Sequence, residues 1–144
     1  MFSNHDGLHY DYTDHFEAPI ATADDRTPEQ WARAVFEDAP GPLRGLFASS
    51  FRYGLGLRLG PRSSPEHVLG WEIIDRKPDS ITVESRSWFL TSRLVFRAQG
   101  SRLTQSTLVH YDKRIARVLW PPVSILHRQI VPWLLRRAAR GSRR

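Results

Sequence analysis

Residues 80–112 read SITVESRSWFLTSRLVFRAQGSRLTQSTLVHYD, and the period of these side chains decides the fold. Ile81 and Val83 alternate with Thr82 and Glu84, and Leu94 and Phe96 alternate with Arg93 and Arg97. A period of two belongs to a strand with one face turned to a core. The spacing predicts strands over His67–Arg76, Ser80–Trp88, Phe89–Ala98 and Arg102–Asp112. Between them, Lys77-Pro78-Asp79 and Gln99-Gly100-Ser101 are turn sequences, and connections this short join antiparallel neighbours.

Working upstream, Tyr10 to Ala21 alternates less strictly and contains Pro19, which suits a first strand at a sheet edge. Residues 27–41, TPEQWARAVFEDAPG, carry a helix start: Thr27 as N-cap, Pro28 at the first helical position and Gln30 closing a capping box. Trp31, Ala34 and Val35 make its apolar stripe, and Ala39-Pro40-Gly41-Pro42 ends it. Leu43, Leu46, Phe47 and Phe51 predict a second short helix to about Tyr53. The glycines at 54, 56 and 60 do not form a phosphate loop, because Pro61 and Ser63-Ser64-Pro65 follow where a helix would have to begin. Downstream, Pro121 to Arg140 predicts a long helix opening on Pro121-Pro122, with Val123, Leu126, His127, Ile130 and Leu134 at helical spacing. Helices on one face of a curved antiparallel sheet give an α+β layer architecture.

A chain of 144 residues without cysteine fits one domain over 1–144, buries about 68–70% of its unfolded surface, and excludes disulfides and thiolate chemistry. Residues 1–9 read as a flexible lead and 141–144 as a flexible basic tail. The N-terminus has neither the basic nor the apolar region of a secretory signal, so the expected location is the cytoplasm. The net charge of +6 is uneven: all 15 acids lie within residues 1–112, while residues 113–144 hold nine bases and no acid. Only two of the 21 bases are lysine, an arginine bias that genome composition produces as readily as phosphate binding does.

The order of elements resembles the START-like (SRPBCC, helix-grip) superfamily, in which a curved sheet grips a C-terminal helix. Two stretches, RTPEQWARAVFEDAPG at residues 26–41 and LTQSTLVHYDKRIARVLWPPVSILHRQIVPWLLRRAAR at residues 103–140, look closer to an uncharacterised bacterial domain-of-unknown-function family, DUF2867. Within the second, Pro122 followed five residues later by His127-Arg128 looks like that family's signature. The resemblance implies a cavity between sheet and helix that takes a small hydrophobic or amphipathic ligand. It also admits a cyclase- or hydrolase-like enzyme in the same cavity, and it brings no established reaction.

If Leu69, Trp71, Ile73, Ile81, Val83, Leu94 and Phe96 face inward, then Glu72, Glu84, Arg86, Arg93 and Arg97 face water as ion pairs worth well under about 1 kcal/mol each. The expected ligand-lining residues are then Trp71, Ser85, Ser87, Phe96, Gln105, Thr107, Tyr111, Leu126, His127 and Ile130. His127 reads either as a core histidine held by a carbonyl or an acid, or as a proton carrier facing a pocket, with Tyr111 as the other proton carrier. His5 and His9 have metal-compatible spacing but sit in a polar end with Gly7 between them, so no metal is expected, and no cofactor motif is present. Trp120 and Trp133 do not make the paired aromatic platform of an RNA-binding sheet, so no nucleic acid is expected. Three prolines, His127 and Arg128 exclude a membrane span from Val118 to Leu135. The arginine-rich end leaves docking to an acidic partner or a weak contact with a membrane surface open, for a monomer or homodimer.

Overall fold

The computed structural model describes residues 10–20, 26–36, 63–68, 71–99 and 101–141. The predicted helix over residues 43–53, the glycine-bearing segment 54–60, Leu69 and the His5–His9 pair lie outside the described residues. Seven strands form one sheet: β1 (Tyr12–Pro19), β2 (Ser63–Ser64), β3 (His67–Val68), β4 (Trp71–Lys77), β5 (Ser80–Arg86), β6 (Leu90–Gln99) and β7 (Arg102–Tyr111). Every pairing is antiparallel, in the spatial order β1-β7-β6-β5-β4-β3-β2, so β1 is an edge strand that returns to pair with the last strand of the meander. Two helices are described, α1 (Pro28–Phe36) and α2 (Ala116–Gly141), and the architecture is α+β, as the helix-grip resemblance implies.

Register identifies the inner face. Tyr12, Asp14 and Phe16 on β1 lie opposite Val109, Thr107 and Gln105 on β7. Gln105 and Thr107 lie opposite Phe96 and Leu94 on β6, which lie opposite Ile81 and Val83 on β5. Both helices cover this face. α1 brings Phe36 edge-on to Phe96, with ring centroids 5.8 Å apart, and α2 lies over β1 and β7. The core between them includes Trp31, Val35, Val83, Leu103, Leu134 and Leu135, all buried.

α1 starts as its sequence predicts: the Gln30 N–H donates to Thr27 Oγ1 at 3.2 Å and the Thr27 N–H donates to Gln30 Oε1 at 2.8 Å. Its register with the sheet is fixed by charge. Glu29 receives Arg33 one turn on at 3.0 Å and Arg76 of β4 at 2.9 Å, and Arg33 also donates to the His67 carbonyl at 3.0 Å. Arg76 reaches Glu29 because β4 is irregular between Ile73 and Asp75. Ile73 pairs with Val83 and Arg76 with Ile81, so residues three apart share the inner face.

Two expectations need correction. First, α2 begins at Ala116 and not at Pro121, so Pro121, Pro122 and Pro132 are all internal to it. Turns from Lys113, Arg114 and Ile115 lead into it, with their carbonyls accepting from Ala116, Arg117 and Val118. A proline removes the donor to the carbonyl four residues back, and those carbonyls belong to Arg117, Val118 and Arg128, which are all exposed residues that water can serve. The buried stripe is also rotated by about a residue, running through Trp120, Ser124, Val131, Leu134 and Ala138, with Val123 and Ile130 only partly buried at its border. Second, the outer face is not simply wet. Glu84 and Arg93, 2.7 Å apart, are only 10% and 13% exposed, and Arg93 also donates to the Tyr10 hydroxyl at 3.1 Å. This pair is sheltered by its neighbours on β5–β7, unlike Arg86, which remains exposed.

Candidate functional site

The polar groups of the inner face gather where α2 crosses β1 and β7. Strand alternation points Asp14 at the helix between Tyr12 and Phe16, and pairing sets it opposite Thr107. The α2 stripe then lowers His127 onto both: His127 Nε2 is 3.1 Å from Asp14 Oδ2 and 2.9 Å from Thr107 Oγ1. The Tyr12 hydroxyl donates to the same Oδ2 at 2.7 Å. Trp120, two turns before His127, walls the group, 5.9 Å from the imidazole and 5.2 Å edge-on from the Tyr12 ring.

The electrostatics follow from this packing. Burial of Asp14 favours its neutral form, but bonds from His127, Tyr12 and Thr107 together outweigh burial and hold the carboxyl below the usual carboxylate range. Burial, then the bond to Asp14, pushes the Tyr12 phenol well above its ordinary value, so it stays a donor. Asp14 is therefore an anion at neutral pH and can only accept. The proton of a neutral His127 ring consequently sits on Nε2, and the basic lone pair on Nδ1. His127 is thus a histidine held by an acid.

The predicted lining residues do not all lie together. Phe96, Gln105, Thr107 and Ser85 share the inner face, and Trp71 is buried beyond β5 on the same side. Tyr111 lies at the far end of that face opposite Leu90; burial and the charge of Asp11 raise its phenol, and no hydrogen bond among the described residues links it to His127. Ser87 belongs to a turn, its Oγ accepting from the N–H groups of Phe89 and Leu90 at 3.3 and 3.2 Å. Ile130 borders the helix stripe, and the side chain of Leu126 is outside the described residues.

Gln105 occupies the position between the two helices, flanked in register by Phe16 and Phe96. It is 0% exposed, and among the described residues neither Nε2 nor Oε1 has a hydrogen-bond partner. Ser85 Oγ and Asp14 Oδ1 are likewise buried without a partner among the described residues.

Sequence reasoning missed Asp14 and Tyr12. The signal was present: Tyr12, Asp14, Phe16 and Ala18 form the apolar side of an alternating strand, and a carboxylate in such a row needs a partner. A second histidine cluster, His110 between Asp11 at 3.7 Å and Asp112 at 3.3 Å, lies at the other end of β7. Among the described residues no group of three or more His, Asp or Glu side chains could hold a metal ion.

The model of a family described as a protein of unknown function, DUF2867, matches residues 8–134. No curated protein matches the chain. A solved structure of an uncharacterised protein from Rhizobium leguminosarum is similar at 17% identity and a TM-score of 0.38, over 86% of this chain and 93% of that one.

Proposed function

The chain belongs to the DUF2867 family, and we propose that it is a binding module that takes a small amphipathic molecule at the seam between α1 and α2. Gln105 carries this reading. A buried amide with neither donor nor acceptor used costs about 1–3 kcal/mol for each unsatisfied group, and such groups call for a partner that the described residues do not supply. A ligand with an amide-like head would satisfy both atoms while its apolar part lay against Phe16 and Phe96. Because Gln105 lies beneath the helices, the seam must part for entry, and that opening would slow association.

The test compares octanamide, which donates and accepts, with methyl octanoate, which only accepts, by native mass spectrometry and calorimetry on the wild type and Gln105→Leu. The amide should bind more tightly to the wild type, and the variant should lose that preference while melting at a higher temperature. Absence of binding by both probes, or an unchanged preference in the variant, would count against a ligand at Gln105.

A second reading is proton transfer by His127, favoured by the Asp14 contact that presents Nδ1 as the base. On this reading Asp14 and Thr107 position the ring and the seam holds the substrate.

A further inference from the structure

We propose that the outward face of α2 docks flat on an anionic lipid surface. The helix is apolar on two opposite sides. One side is the buried stripe through Trp120, Ser124, Val131 and Leu134. On the other, Val118, Pro122, Ile125 and Trp133, with the single polar Gln129 among them, fall at spacings of three and four, which places them in one line along a helix. Val118 is 67% and Ile125 56% exposed, and Ile115, Leu119 and Trp133 are exposed beside them. A helix that serves only as the lid of a core has polar residues there.

Charge identifies the occupant. Arg114 and Arg117 stand at one end of the line, Arg128 beside its middle and Arg136 at the other end, all exposed. No acidic residue follows Asp112. Apolar side chains between arginines, with a tryptophan at the border, match the boundary between acyl chains and anionic headgroups. From Ile115 to Trp133 the line runs for about 27 Å at about 1.5 Å per residue, and basic groups at both ends keep the axis parallel to the surface. No described helix is long and apolar enough to cross a membrane. A second copy is a poorer occupant, because antiparallel pairing of this face would bring Arg114 and Arg117 against Arg136, and parallel pairing would oppose each arginine to itself. The surface lies opposite the His127 side of the helix, so it does not depend on the ligand-binding reading.

The experiment is sedimentation of the full chain with vesicles of phosphatidylcholine alone and with one third phosphatidylserine, at low and high salt. Binding should require phosphatidylserine, weaken at least tenfold at high salt, and fall at least tenfold in the double variant Val118→Asp, Ile125→Asp. Both sites are exposed, so an unchanged melting temperature should confirm that the variant folds. Should it fail to fold, Arg117→Gln with Arg136→Gln leaves the apolar line intact and should still lose several-fold in low-salt binding. Equal binding to both vesicles, undiminished binding by either variant, or no binding overturns the proposal. So does binding to soluble polyglutamate as tight as to vesicles, which would assign the face to an acidic protein. A concentration-dependent dimer abolished by Val118→Asp, Ile125→Asp would assign it to a second copy and overturns the proposal equally.

Discussion

Replacing Asp14 with Asn changes one charge and almost no volume, so its effect can be worked from the contacts. Oδ2 is the acceptor for the Tyr12 hydroxyl and His127 Nε2, at 2.7 and 3.1 Å, and the Thr107 hydroxyl also bonds the carboxylate. A hydrogen bond to a charged acceptor contributes about 1.5–3 kcal/mol and a neutral one about 0.5–1.5 kcal/mol, so each of the three loses roughly 1 kcal/mol. The side chains of Asp14 and His127 are only 9% and 17% exposed, so solvent screens little of this. Two further effects oppose each other. The variant no longer desolvates an anion, but its amide N–H₂ takes the place of Oδ1, for which no partner exists among the described residues. The expected net loss is about 1–3 kcal/mol at neutral pH.

The sign of the pH dependence makes the test specific. The folded Asp14 carboxyl is held below its unfolded value, so its contribution is present above the unfolded value of about 3.9 and is lost as pH falls through the lower folded value. Urea unfolding of wild type and Asp14→Asn at about pH 7 and about pH 3 measures the difference directly, since other carboxyls are common to both proteins. The deficit of the variant should be full at the first pH and smaller at the second. A deficit of the same size at both, or none at neutral pH, would refute the account of Asp14 as a buried anion held by three donors.

Two more outcomes follow from α2 and its histidine. Pro122→Ala restores the donor to the Val118 carbonyl in mid-helix and should stabilise the chain by about 1–3 kcal/mol; a lower melting temperature would mean that the proline ring does something there that the helix geometry does not reveal. His127→Gln keeps an N–H₂ group for Asp14 and should cost under about 1 kcal/mol, while any hydrolysis of a nitrophenyl ester panel by the wild type should disappear; hydrolysis that survives the change removes His127 from the chemistry and leaves it holding the helix to the sheet.

The meander was legible because each of its strands carries its own period and its own turn, and β4 to β7 fall within a few residues of the spans read from sequence. The start of α1 was legible for the same local reason, a capping box complete within four residues. The α2 start was not. Proline normally marks a first turn, and nothing in one dimension reveals that the carbonyls freed belong to the exposed residues Arg117 and Val118. The candidate site was half legible. His127 stood out on a helix face, whereas its acid is more than a hundred residues away on a strand whose pairing with β7 closes only in three dimensions. Gln105 was picked out by alternation alone, but that its amide lacks a partner among the described residues depends on what both helices bring over it. The irregularity in β4 likewise hid Arg76, which strict alternation from Ile73 would turn to the outer face.

Asp14 has a consequence for the chain's life in a crowded solution. β1 is the long edge of an open sheet, and an edge strand offers its free backbone groups to any other extended chain. Strands that polymerise in this way stack their faces dry against one another. A β1 drawn away from α2 into such a stack would carry a carboxylate stripped of His127, buried with nothing to neutralise it, and Pro19 at its end would offer no donor. The opposite edge, β2, spans two of the described residues and gives little to copy. The acid that orients the histidine thus also makes the native seat of β1 far better than any aggregated one, a safeguard against misassembly built from the same contact.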